Sequence, residues 1–129
     1  LKTREGLSRS LSRLESFRDE VLPQLAASDP HYLVKAIEAR GMTLITEAFL
    51  RSSLLRKESR AGHFRADYPQ RDDVRGPAWI DISKGRNGMN ADFDLVPLDR
   101  YPVKPYRYYM DNFNFPTSAS SGANGEDSD

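Results

Sequence analysis

The sequence predicts a mainly α protein: an antiparallel helical bundle, with two long helices of a three-helix bundle, followed by a small β-hairpin and an extended aromatic tail. Two segments repeat apolar residues at helical spacing, Asp29-Pro30 separates them, and segments of alternating polarity flank Asn87-Gly88. We expect a helical bundle over residues 1–70 that ends in a charged junction. A turn, the hairpin and an extended segment then occupy 71–105, and an aromatic, then disordered, tail occupies 106–129.

The first helix begins after Thr3, because a threonine hydroxyl is a favourable N-cap. Pro23 lacks a backbone N–H and clashes with the preceding turn, so the regular helix should end or kink near residues 21–22. Apolar residues recur every three or four positions and predict one buried stripe, formed by Leu7, Leu11, Leu14, Phe17, Val21, Leu22 and Leu25.

The second helix begins at Asp29-Pro30, where Asp supplies the N-cap and Pro suits the first helical position, and it extends to about Arg56. Gly41 in its middle predicts close packing against a neighbour. Two helices of this length cannot cover both apolar faces, so a third element from elsewhere in the chain or from a partner domain is expected. The predicted inward positions are Val34, Ile37, Gly41, Leu44, Ile45, Ala48, Ser52 and Leu55, widened by Met42 and Phe49.

The hairpin consists of residues 79–83 and 91–96, joined through Asn87-Gly88, which is a strong turn signal. Alternation places Ile80 and Ile82 on one face, with Ala91, Phe93 and Leu95 inward on the second strand. A single hairpin is too small to be stable alone, so it must pack on the helices or on another body. The proline-interrupted residues 96–105 and the aromatic residues after them either wrap a larger body or form a recognition segment.

Composition excludes several classes of function. The 129 residues carry 19 basic and 19 acidic side chains, so no overall field favours nucleic acid or a membrane surface. No Cys is present, which excludes disulfides, thiolate metal sites and Cys-ligated iron–sulfur clusters in this chain. No apolar run approaches the roughly 20 residues of a membrane span. Because the sequence opens on Leu1 rather than Met, in the approach to a helix, we expect a fragment or a processed product.

Most patterns that indicate catalysis are missing. No glycine-rich phosphate-binding loop and no nucleophile elbow is present. His31 and His63 lie 32 positions apart, without further clustered ligands, so a metal site is not predicted. The least generic stretch is residues 56–69, which we call the junction. Its candidate residues are Glu58, Arg60, His63, Arg65 and Asp67.

Two interpretations of the junction remain open from residue types alone. In the first, Arg60 and Arg65 bind Glu58, Asp67 or carbonyl groups at the helix C-terminus, and so end the helix and fix the turn. In the second, the arginines form a clamp for an anion or a substrate carboxylate, since a guanidinium binds such groups through two parallel hydrogen bonds.

The junction resembles the C-terminal helical domain of the fumarate reductase/succinate dehydrogenase flavoprotein family, whose pattern is approximately R-x-E-S-R-G-x-H-x-R-x-D-[YF]-P-x-R-D-D. L-aspartate oxidase and adenylylsulfate reductase flavoproteins carry related patterns. The family has Gly directly after the second Arg, whereas Ala61 stands there and Gly62 follows. If that position needs a left-handed backbone, the turn should be shifted or rebuilt by one residue. The matching residues are Arg56, Glu58, Ser59, Arg60, His63, Arg65, Asp67, Tyr68, Pro69, Arg71, Asp72 and Asp73.

The resemblance implies an FAD-dependent oxidoreductase whose FAD and catalytic residues lie outside this chain. It implies that the chain holds no catalytic, cofactor-binding or metal residue and is inactive alone. Implied partners are the flavin-binding domain of the same parent chain and an iron–sulfur subunit. The five candidate residues then become interdomain and turn-fixing contacts. We expect no nucleic acid and no direct membrane insertion, a dimer as one form of the isolated fragment, and a cytoplasmic location, peripheral to the inner membrane through partner subunits.

A second class of function also fits the sequence. The chain would then be a small, independent protein-interaction module that uses its helical face and its aromatic tail. A compact monomer in solution would favour that interpretation, because a domain cut from a larger body exposes an uncovered apolar face.

Overall fold

A computed structural model of the chain describes residues 1–86, 88–100 and 102. The predicted aromatic and disordered tail, and most of the extended segment after residue 100, lie outside these residues. Two helices and one antiparallel hairpin confirm the prediction of a mainly α fold with a small hairpin; the third helix of the predicted bundle is not among the described residues. The elements are α1 (Arg4–Ser16), a π-helical turn (Phe17–Val21), a 3-10 turn (Leu22–Gln24), α2 (Pro30–Leu55), β1 (Ala78–Gly85), β2 (Gly88–Leu95) and a second 3-10 turn (Leu98–Arg100).

Helix α1 begins where its sequence predicts. The Thr3 hydroxyl accepts a 3.1 Å hydrogen bond from the Gly6 N–H. The α-helix ends at Ser16, earlier than predicted, because the chain widens into the π-helical turn, and the helical path then continues into the 3-10 turn. Pro23 lies at the start of that turn, where a missing N–H costs nothing. Of the predicted stripe only Leu7 and Leu22 are buried.

Helix α2 also begins as predicted, with the Asp29 carboxylate accepting a 3.0 Å hydrogen bond from the Tyr32 N–H. Much of the predicted inward stripe is uncovered in the described chain: Ile37 and Leu44 are each 60% exposed and Ile45 is 71% exposed. Apolar residues surround much of α2, so periodicity alone does not tell which side this chain covers. The neighbour predicted to pack closely at Gly41 is not among the described residues, since a Cβ at Gly41 would meet nothing within 4 Å. The buried positions are Thr43, Glu47, Leu50 and Ser53.

The hairpin has the predicted face. In the antiparallel register Ile80 lies opposite Phe93 and Ile82 opposite Ala91, so the four side chains share one face. Both strands pack on α2. The Arg56 guanidinium lies 5.8 Å from the centre of the Phe93 ring and links the end of α2 to β2. Within the described part of the chain, no helix is both long enough and apolar enough to cross a bilayer.

Candidate functional site

The junction folds back on the end of α2 through backbone hydrogen bonds. The Ser59 N–H donates to the Gln70 carbonyl at 2.9 Å, and Arg60 and His63 exchange two hydrogen bonds of 2.8 and 2.9 Å. The Ala66 N–H donates to the carbonyl of Lys2 at 2.8 Å, so residues just before α1 are attached to the junction. The junction therefore joins both helices at one end of the molecule.

Glu58 is the acceptor at the centre of the first cluster. Its side chain is 3% exposed and accepts hydrogen bonds from Arg56 at 2.6 Å, from Arg60 at 3.1 Å and from the Asp72 N–H at 2.9 Å. Burial would raise the pKa of Glu58, but these hydrogen bonds outweigh it and hold the pKa below its usual range. Glu58 therefore remains a carboxylate that ties the end of α2 to the turn before β1.

Arg65 is the donor at the centre of the second cluster. It is 1% exposed, and its guanidinium donates to both oxygens of Asp67, at 2.8 and 2.7 Å, and to the Ser53 carbonyl of α2 at 2.6 Å. Asp67 also accepts a 2.8 Å hydrogen bond from the Arg4 N–H in the first turn of α1. The Arg65 hydrogen bonds hold the pKa of Asp67 well below its usual range. Asp67 thus connects a buried arginine to the positive end of a helix.

His63 lies between the end of α2 and the segment before α1. Its Nε2 is 3.4 Å from the Arg56 carbonyl, and its Nδ1 is 3.4 Å from the Lys2 ammonium. Both contacts are satisfied when the proton is on Nε2 and Nδ1 accepts from Lys2. Burial lowers the pKa of His63, and the positive charge of Lys2 lowers it further. The site therefore favours a neutral imidazole.

Ser59 is the most buried polar side chain of the junction and was not among our candidate residues. It is fully buried, accepts from the Arg65 N–H at 2.8 Å and lies 2.8 Å from the Tyr68 carbonyl, to which its hydroxyl can donate. The signal was present, because the serine lies inside the motif that carries the family resemblance. Arg56 was also missed, although it links Glu58 to the carbonyls of Gly76 and Ala78.

The turn between Arg60 and His63 is not shifted by one residue. Ala61 has a φ of 49°, whereas Gly62 does not have a positive φ. The left-handed position therefore stays where the family pattern has Gly, and an alanine occupies it. Two-residue turns with a positive φ at the first central position favour Gly there, because a Cβ is strained in that conformation.

Gly76 lies directly against the Glu58 cluster. A Cβ at Gly76 would overlap the Asp72 carbonyl, the Glu58 carboxylate and the Arg60 guanidinium. Beside it lies a small cavity of about 200 Å³, walled by Leu55 and Phe93. The ionic cluster is thus packed closely enough to need glycine at this position.

A third ionic cluster, which the sequence did not predict, joins the C-terminal end of α1 and the π-helical turn to α2. Glu47 of α2 is 3% exposed and accepts hydrogen bonds from Arg18 at 2.7 Å and from Arg51 at 2.9 Å. Arg51 also donates to Glu15 of α1 at 2.8 Å. Arg18 lies in the π-helical turn. The two arginines hold the pKa of Glu47 low despite burial, which acts in the opposite direction.

The charged side chains of the junction pair with one another. Arg60 contacts Glu58 and Arg65 contacts Asp67, as the first interpretation expects, while the interdomain role of these residues stays a prediction. Arg65 is 1% exposed and cannot reach a carboxylate from outside the domain, so the clamp interpretation loses one of its two arginines. Among the residues described, no group of three or more His, Cys, Asp or Glu side chains could hold a metal ion.

Comparison with known proteins gives three results. Residues 1–108 match the family described as the fumarate reductase flavoprotein C-terminus. The chain is 33% identical over 70 residues to an L-aspartate oxidase of Acinetobacter baylyi and 28% identical over 74 residues to a CoM/CoB fumarate reductase polypeptide of Methanothermobacter marburgensis. In each case 54% of this chain is covered, against 12% and 13% of the relative. The chain therefore spans about an eighth of the length of these relatives.

A solved structure has the same fold. A variant FrdA chain of the E. coli quinol fumarate reductase superposes with a TM-score of 0.69 and 21% identity. The alignment covers 78% of this chain and 18% of that chain.

Proposed function

The chain belongs to the fumarate reductase flavoprotein C-terminal family, and on that basis we propose that it is the C-terminal domain of a flavoprotein subunit. The parent would be an FAD-dependent oxidoreductase of the fumarate reductase/succinate dehydrogenase type. The domain would pack on the flavin-binding domain of the same parent chain and on a partner subunit, and it would be non-catalytic in isolation. The observation that carries this proposal is the family match over residues 1–108.

FAD belongs elsewhere in the parent. The described residues do not fit a dinucleotide, because they contain no strand that leads through a glycine-rich turn into a helix. Gly85 and Gly88 are instead the paired end residues of the two hairpin strands. We therefore assign the FAD to the flavin-binding domain, and we derive no redox step from residues of this chain.

The exposed stripe of α2 supports the packing part of the proposal. Ile37, Leu44 and Ile45 are 60–71% exposed in the described chain, and an open apolar stripe of this kind marks an interaction surface. We propose that the flavin-binding domain and a third helix cover it. The junction, with Glu58 and Arg65 fully paired inside the domain, would keep α1 and α2 in the orientation that this packing needs.

The same proposal extends to location and partners. An iron–sulfur subunit would bind the parent flavoprotein, and contact with the inner membrane would arise only through partner subunits on the cytoplasmic side. The alternative of an independent interaction module is not favoured, because the family match covers most of the chain.

Two experiments test the proposal. The parent reading frame should encode a G-x-G-x-x-G strand–turn–helix segment upstream of these residues. The 129-residue chain, purified alone, should show no flavin absorbance and no fumarate reduction. Flavin that copurifies at one per chain would contradict the assignment of FAD to another domain, and a parent without the upstream segment would end the proposal.

The packing surface has its own test in the parent protein. We expect Ile37→Asp to leave the circular dichroism of the isolated chain unchanged, since this side chain is exposed, but to lower the melting temperature of the parent. Val74→Asp is the matched control, because Val74 is 87% exposed and lies outside α2. Equal effects of the two substitutions would count against packing through α2.

A further inference from the structure

A wide groove lies between α2 and the tip of the hairpin. Its volume is about 810 Å³, and its apolar lining comes from both elements. It opens to solvent along the exposed stripe of α2, so an elongated segment can enter it sideways. The apolar lining residues are Leu44, Ile45, Ala48, Ile82 and Met89.

The charges around the groove are mostly positive. Lys84 and Arg86, at the hairpin tip, are exposed and have no carboxylate partner among the described residues. Arg18 and Glu47 line the same groove. Glu47 accepts hydrogen bonds from both Arg18 and Arg51, so its charge is paired within the domain. The acidic side chain in the lining is therefore neutralised, while two cations at the rim are not.

We propose that this groove is the docking site for an acidic, amphipathic segment of the flavin-binding domain. The apolar side chains of the segment would cover Ile45, Ile82 and Met89, and its carboxylates would face Lys84 and Arg86. The source of the segment rests on the proposed function, while its chemistry rests on the groove alone. A helix that places an apolar face in a groove, with charges at the rim, is a common mode of protein recognition.

The chemistry is tested with two synthetic helical peptides and the 129-residue chain. Both peptides have the same leucine face; one carries only Glu on its polar face and the other only Lys. We expect the Glu peptide to bind, with NMR shifts centred on Ile82 and Met89, and the Lys peptide to bind at least roughly tenfold more weakly. Equal binding of the two peptides, or no binding of either, would overturn the proposal.

Variants connect that binding to the groove. The double variant Lys84→Glu with Arg86→Glu should weaken binding of the Glu peptide by roughly tenfold, since each exposed charge contributes modestly to the affinity. Ile45→Ser should weaken both peptides, and the fold should survive because Ile45 is 71% exposed. Arg75→Glu is the control, because Arg75 is an exposed cation outside this groove. An equal loss of binding in the control would refute the assigned location.

The source of the segment needs a separate measurement. Sedimentation of the isolated chain tests whether a second copy of the chain occupies the groove. If the chain self-associates and the Lys84→Glu/Arg86→Glu variant does not, the proposal is overturned. In the parent protein, the same double variant should lower the melting temperature, whereas Arg75→Glu should not. A parent gene without a flavin-binding segment would refute the proposed function, yet the peptide result would still stand, so the two failures are distinguishable.

Discussion

Replacement of Ala61 by Gly should stabilise the protein. Ala61 has a φ of 49° and is held there by the two hydrogen bonds between Arg60 and His63. A left-handed conformation costs a residue with a Cβ about 1–2 kcal/mol. Gly adds conformational freedom to the unfolded chain, which offsets about 0.4–1 kcal/mol of that gain. Ala61 is exposed, so the methyl group contributes little packing. The expected net stabilisation is therefore about 0.5–1 kcal/mol.

The assay is urea unfolding followed by far-ultraviolet circular dichroism, which reports on both helices. The midpoint should rise with an unchanged slope, because the surface exposed on unfolding is the same. In a thermal melt the gain corresponds to an increase of about 2–5 °C for a domain of this size. Gly62→Ala is the matched control: the position has no positive φ, a Cβ there meets nothing within 4 Å, and the stability should change by at most about 0.5 kcal/mol.

The reasoning would be refuted if Ala61→Gly lowered the midpoint, or if Ala61→Val were as stable as the natural chain. A β-branched side chain is strongly disfavoured at positive φ, so Ala61→Val should cost at least about 1 kcal/mol. The series Gly, Ala, Val at one exposed position therefore separates backbone strain from lost contacts.

Three further predictions concern the ionic clusters. Gly76→Ala should destabilise by about 3 kcal/mol, because its Cβ would overlap Glu58 and Arg60, and a urea midpoint equal to that of Gly41→Ala would contradict this. Glu47→Gln should lower the free energy of unfolding by about 2 kcal/mol in the same assay, since it leaves Arg18 and Arg51 without their shared anion. If Glu47 and Arg18 are directly coupled, the double variant with Arg18→Gln should cost no more than Glu47→Gln alone. Additive costs of the two substitutions would argue against the coupling. The pKa of His63 is lowered by burial and by Lys2, so its contribution to stability is complete above about pH 6.5 and is lost as pH falls through the folded value. The pKa values of Glu58 and Asp67 are lowered by folding, so a second loss of stability should occur as pH falls below their unfolded pKa values of about 4. Urea midpoints measured from about pH 8 to about pH 3 should show both steps, and His63→Gln should remove only the first.

Local chemistry made the element boundaries predictable. The caps at Thr3 and Asp29 depend only on a side chain and the next two or three N–H groups, and both are present. The hairpin register follows from alternation and from the short connection between Gly85 and Gly88, for the same reason. The end of α1 was less predictable, because the π-helical turn carries Arg18, which pairs with Glu47 on the other helix.

The buried side of α2 could not be predicted, because apolar residues lie on several sides of the helix and only tertiary contacts select one. Within the site, Arg60 and Glu58 are two residues apart, so their pairing is suggested by the sequence. The contacts from Lys2 to His63 and from Arg4 to Asp67 connect residues 61 and 63 positions apart, and no local rule identifies them. The shift of the turn expected from Ala61 was wrong, because the turn sets the positive φ at this position whichever residue occupies it.

The bonds from Ala66 to Lys2 and from Arg4 to Asp67 make the stretch between residues 2 and 67 a closed ring without a covalent link. Fraying at a helix end is normally the easiest local opening of a protein. In this ring, the first turn of α1 cannot fray without breaking bonds to a segment more than sixty residues away. Amide hydrogens at the start of α1 should therefore exchange only when the junction opens, while the hairpin can open independently and leave the ring intact.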